Sequence, residues 1–284
     1  MAKNKPLRSM NPLEADILLH YQYGRESAYE EETAITRTLD VLCAESDLVC
    51  HDQRMFQILH LNTELAWYNI HFELRRVIQL LSEARFVEAH HLCERVSLLM
   101  NMPLSALETL ISSMSQISLL EFRAQLPANA TGVDSPGMIN LRRITRLLWS
   151  AFEDSLKHIE HTPISLALMR IRKKQLPHEL AWPAKIFDAI QQFDIKLMGW
   201  KQLHLRLVWT HLGGAVASIQ NSDEDYPETK NCPLSSPIAN TPTSLRGKPI
   251  SVLQKATVTP LFPKLWEIPD LVYQEMTKDN NTAY

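Results

Sequence analysis

HDQRMFQILHLNTELAWYNIHFELRRVIQLLS, residues 51–82, is the stretch whose reading decides the fold. Its apolar positions Phe56, Leu59, Leu65, Ile70, Leu74, Val77 and Leu81 recur at the helical period, which predicts one long helix facing a core. Working outward, the same spacing predicts helices over residues 86–102, 103–117, 140–157, 164–174 and 182–211. Pro103 suits a helix start, and Gly213 and Gly214 close the last of these helices. Residues 29–46 read as a helix with an acidic first turn. Residues 126–138, rich in Pro, Asn and Gly, read as a loop. Alternation of the strand type is scarce. The expectation is an all-α fold, a helical bundle in a single domain over residues 1–284. A loosely ordered arm covers 1–24, with a short helical piece near 13–23. A Pro- and Ser-rich loop or lid covers 220–249. In the tail, 250–284, Phe262, Trp266 and Tyr273 are expected to pack back onto the bundle.

Bulk properties narrow the classes. With 284 residues, 45% hydrophobic and 21% charged, the chain has an ordinary globular composition and length enough for a large core. A formal net charge of −3 offers no basic field for nucleic acid. No apolar run reaches a membrane span, and no apolar signal core follows the basic N-terminus. Cys43, Cys50, Cys93 and Cys232 form no CxxC pair and no CxxCH haem-attachment signature; free thiols and a cytoplasmic location are the simplest expectation. Seven glycines in the whole chain leave no GxGxxG or phosphate-cradling loop. GxSxG and HExxH are also absent.

Three residues invite chemistry. His204 follows Trp200 by one turn among Leu203, Leu207 and Val208. A neutral imidazole on an apolar helix face can ligate haem iron, or it can be a satisfied core histidine. His60 has Phe56 one turn before and Glu64 one turn after. That suits the wall of an oxygen-binding pocket, or an ordinary surface pair with Glu64. Arg123 sits among Leu119, Leu120, Phe122 and Leu126, where its planar fork could grip a carboxylate or form a structural ion pair. His211, beside the helix end, is expected to interact with the helix dipole. One histidine holding a haem, one facing its open side and an arginine catching a carboxylate would make a haem enzyme acting on an amino acid.

The segments carrying these residues resemble the tryptophan 2,3-dioxygenase superfamily, the haem-dependent aromatic oxygenases. The family's HDE.LF...HQ..ELW.....EL is echoed by HDQRMFQILHLNTELAWYNIHFEL; its LETM...DF.DFR..L...SG..S by LETLISSMSQISLLEFRAQLPANATGVDS; and its W...H..M....G by WKQLHLRLVWTHLG. The resemblance implies haem b, with His204 as proximal iron ligand and Trp200 beside the cofactor. It implies His60 as the catalytic distal histidine and Phe56 as a pocket phenylalanine. Arg123 becomes the partner of the substrate carboxylate. Leu119 stands where the family has a pocket phenylalanine, and Ser218 falls at the hydroxyl residue of the family's GTGGSSG loop, here GGAVASI. The family's aromatic positions in YxxYLxLD are occupied by Thr33 and Thr36. An altered ring cage with a retained carboxylate hook looks like the bacterial biosynthetic branch, which includes haem-dependent L-tyrosine 3-hydroxylases. The expected function is therefore hydroxylation of an aromatic L-amino acid with dioxygen or hydrogen peroxide, L-tyrosine to 3,4-dihydroxyphenylalanine. The alternatives are a tryptophan-directed monooxygenase or 2,3-dioxygenase and a non-catalytic haem-binding scaffold. No nucleic-acid or membrane partner is expected, and a homo-oligomer, dimer or tetramer, is.

Overall fold

A computed structural model describes residues 27–126, 132, 135–172, 176–214 and 257–278. Among the described residues every regular element is a helix, so the fold is all-α. In chain order the α-helices are α1 (Ala28–Thr33), α2 (Ile35–Asp40), α3 (Asp52–Ser82), α4 (Phe86–Leu99), α5 (Asn101–Ser113), α6 (Gln116–Arg123), α7 (Pro136–Lys157), α8 (Pro163–Arg172), α9 (His178–Leu212) and α10 (Pro263–Lys278).

The long helix read from residues 51–82 is α3. It packs against α4, α5 and α7, while α9 packs against α4, α5 and α6. The main core joins Trp67, Ile70, Leu74 and Val77 of α3 to Leu141, Leu148 and Phe152 of α7 and Ile186, Phe193 and Leu197 of α9. A second, smaller core gathers Leu107, Leu110, Met114, Leu119, Phe122 and Leu207, with Phe56 and Leu59 packed on it. Trp200 touches both cores. Its ring meets that of Trp67 edge-on at 5.2 Å, a favoured aromatic geometry.

Several expectations change. Residues 29–46 are two six-residue helices and a 3-10 turn, not one helix. The break is Ala34, whose φ of 51° lies in the left-handed region that a Cβ disfavours. The stretch read as a single helix over 103–117 ends at Ser113, and α6 restarts after Ser115 caps it through Ser118 N. Helix α7 begins at Pro136, four residues before the expected start at 140, because Ser135 accepts from Met138 N and proline suits the first helical position. Helix α9 begins at His178, ahead of Pro183. Leu65, read as a core position, is exposed, as is Tyr273. Phe262 is buried as expected and Trp266 half-buried.

The tail is pinned by a residue that the sequence reading passed over. Asp194 on α9 is fully buried. It accepts from Leu261 N at 3.0 Å, Phe262 N at 3.3 Å and Trp266 Nε1 at 2.8 Å. Three donors on one carboxylate satisfy a charge that burial would otherwise penalise. The arm 1–24, the loop 220–249, Ser218 and the tail's 250–256 and 279–284 lie outside the described residues.

Candidate functional site

Helices α3, α5, α7 and α9 enclose a cavity of about 160 Å³. His60 and Glu64 border it from α3, Leu107 and Leu110 from α5, Met138 and Arg142 from α7, and Trp200, Lys201 and His204 from α9. His60 and His204, far apart in sequence, thus share one chamber. The helical period explains the α9 contribution: Trp200, Lys201 and His204 fall on one face. Trp67 and Leu59 complete the α3 wall by the same logic.

His204 makes no hydrogen bond among the described residues; its ring stacks on Trp200 at 5.5 Å. Burial, with a smaller contribution from His60, pushes its pKa down to about 4, so the imidazole is neutral at pH 7 and keeps a lone pair for a metal. His60 borders the cavity and keeps an accessible ring, yet the surrounding protein desolvates it and lowers its pKa. The Phe56 carbonyl and Glu64 oppose that shift without reversing it. Nδ1 of His60 lies 2.8 Å from the Phe56 carbonyl oxygen. A carbonyl only accepts, so Nδ1 carries the hydrogen and Nε2 of the neutral ring is an acceptor. The Phe56 ring packs on His60 at 3.8 Å and meets Phe122 at 4.8 Å.

Glu64 does more than neighbour His60. Its carboxylate accepts from Ser135 Oγ and, at 2.9 Å, from Gly137 N, which satisfies orphan donors in the first turn of α7. This brings α7 so close that a Cβ on Gly137 would stand 2.5 Å from Trp67 Cβ. His211 is buried at the end of α9, with both ring nitrogens 3.0 Å from carbonyl oxygens of Leu207 and Met114. It ties α9 to the turn after α5, a role beyond the helix-end interaction expected for it.

Of the expected site residues, His60, His204 and Trp200 meet at the cavity. Phe56 and Leu119 lie behind it in the smaller core. Arg123 ends α6 beside Phe122, half-buried, and is not part of the cavity wall. The sequence reading missed Glu64 as a helix cap, and Arg142 and Lys201 as wall residues. The last was detectable, since Lys201 shares the Trp200–His204 face.

The donor set suits a haem. A neutral imidazole without a hydrogen-bond partner among the described residues shares the chamber with a second histidine, and the wall adds Leu59, Leu107, Leu110 and Met138 beside the charged Glu64, Arg142 and Lys201. The indole N–H of Trp200 is buried without a partner among the described residues. Among those residues no group of three or more His, Cys, Asp or Glu side chains could hold a metal ion. The space is tighter than the chemistry: small-molecule pockets measure roughly 300–1,000 Å³, so the walls must part to admit a porphyrin. Gly132 lies beside the ring, since a Cβ there would stand 4.0 Å from His204 Nε2.

Cys93 is no rival nucleophile, because burial pushes its thiol up to about 12. No helix among the described residues is long and apolar enough to cross a membrane. No family model matches the chain, and a search of curated proteins finds no match.

Proposed function

We propose that the chain is a haem-dependent oxygenase of the tryptophan 2,3-dioxygenase superfamily that hydroxylates the ring of L-tyrosine to 3,4-dihydroxyphenylalanine. The observation that carries this reading is the meeting of His60 and His204 in one cavity, as the resemblance of their segments requires. His204 would hold haem b through its neutral imidazole. Bound there, haem supplies an iron able to activate dioxygen or hydrogen peroxide.

The chain's own residues do the rest. Phe56 and the Phe56 carbonyl hold the His60 ring on two sides, so Nε2 stays available as a base. The neutral Nε2 can accept a hydrogen bond from a phenol hydroxyl and so orient a tyrosine ring; with the His60 pKa lowered the ring acts there as an acceptor. The apolar wall residues Leu59, Leu107 and Leu110 exclude water from the reacting ring. The resemblance gives the substrate carboxylate to Arg123, which ends α6 outside the cavity wall.

The expected homo-oligomer has a candidate face. Ile58, Leu61, Leu65, Tyr68 and Phe72 are all exposed on α3, at alternating intervals of three and four. That heptad seam suits a second helix, and its large apolar side chains are all exposed along one line of α3. Run antiparallel about Leu65, the seam is complementary to itself, with Ile58 opposite Phe72, so a second copy of this chain closes it by a two-fold axis.

The test of function is product mass. Haem-loaded protein given hydrogen peroxide, or dioxygen with a reductant, should add one oxygen to tyrosine. One or two oxygens on tryptophan, with tyrosine unchanged, would reassign the substrate. No product from either would leave a haem-binding scaffold.

A further inference from the structure

Two cationic side chains border one side of the cavity. Lys201 lies on α9 one turn before His204, and Arg142 lies on α7 one turn after Met138; both border the chamber. Burial lowers the Lys201 pKa and the charge of Arg142 lowers it further, while Asp194 opposes both. Lys201 donates to the Thr259 carbonyl at 2.5 Å, its one side-chain hydrogen bond among the described residues, and an ammonium has three N–H groups. Arg142 has no acidic partner among those residues. The nearby carboxylates spend their hydrogen bonds on other donors, Asp194 on Leu261, Phe262 and Trp266 and Glu64 on Ser135 and Gly137, and neither pairs directly with Lys201 or Arg142 among the described residues.

Arg142 is exposed and Lys201 half-buried, so together they offer an anion a place at the rim of the cavity, and the rest of the lining says what that anion is attached to. Leu59, Leu107, Leu110, Met138 and Leu205 supply the apolar part of the remaining wall. The geometry points to Lys201 and Arg142 as the carboxylate-binding end of the His60–His204 cavity, for a ligand with an apolar body and an anionic edge. The guanidinium fork suits a carboxylate bidentately and the ammonium adds a point charge. Two carboxylates could arrive there: the acid side chains of a haem, which rests on the function proposed above, or the carboxylate of an amino acid.

The experiment separates these sources. Wild type, Lys201→Met and Arg142→Met are titrated with haem and with haem dimethyl ester, whose acids are masked, following the Soret band. The same proteins, haem-loaded, are titrated with L-tyrosine and with tyramine, which lacks the carboxylate. Thermal unfolding checks that each variant is folded, and Arg142→Lys should restore part of any loss. If haem is the source, each Met variant binds haem about tenfold or more weakly and binds the ester as wild type does. If the amino acid is the source, the loss appears for tyrosine and not for tyramine. Equal affinities of all three proteins for all four ligands overturn the inference and leave the haem reading standing. Should wild type take up no haem, the haem reading fails; tyrosine against tyramine, read by tryptophan fluorescence, then decides the carboxylate end alone.

Discussion

His204 is the residue on which most turns. Its depressed pKa has a consequence independent of any cofactor. The unfolded chain takes up a proton near pH 6.5 and the folded chain only near 4, so between those values the unfolded state binds more protons and stability rises with pH. The contribution is fully present above about 6.5 and is lost as pH falls toward 4, with His60 acting in the same direction. The effect is on the order of 3 kcal/mol at most. Urea unfolding at pH 7.5 and pH 5 should show wild type losing stability in acid and His204→Leu losing distinctly less; equal losses would contradict the buried neutral imidazole. Gly137 makes a second prediction. With Trp67 Cβ 2.5 Å from an added methyl, Gly137→Ala should destabilise by about 1–3 kcal/mol, and a denaturation midpoint unchanged from wild type would contradict the close approach of α3 and α7. The chemistry at this scale was legible where it is local: Phe56, His60, Trp200 and His204 are helical neighbours in pairs. Glu64 was legible only as a neighbour of His60, because its partners Ser135 and Gly137 belong to a helix that sequence spacing cannot place beside it.

At the scale of elements, helix existence followed from apolar period, and helix ends followed from chemistry the period does not carry. Ser115 and Ser135 cap through side-chain oxygens, which split one expected helix and lengthened another. Apolar residues on both faces of α3 explain why Leu65 was read as core: spacing identifies a stripe, and only the packing of α4, α5 and α7 decides which stripe is covered. Asp194 decides the position of α10. Replacing it with alanine leaves Leu261 N, Phe262 N and Trp266 Nε1 without their acceptor, at about 1–3 kcal/mol for each donor that stays buried. Asp194→Ala should therefore lower stability by several kcal/mol and open the chain near residues 257–262 to limited proteolysis. A digestion pattern like that of wild type would show that the tail is held by apolar contacts alone.

For the whole molecule, the all-α architecture was readable from residues 51–82 outward, whereas the exposed seam of α3 was not, since exposure is a property of the assembled bundle. Leu65→Glu together with Tyr68→Glu places like charges across the proposed two-fold contact. Light scattering should show the wild-type oligomer reduced to smaller species by this pair, with helicity preserved. An unchanged mass, or a monomeric wild type, would remove the seam from the assembly. If the four-helix chamber is the proposed haem site with His204 as the iron's protein ligand, absorption titration of the purified chain with haem should show one haem per chain for wild type and none held stoichiometrically by His204→Ala. Equal haem uptake by the two proteins, or none by wild type, would contradict it.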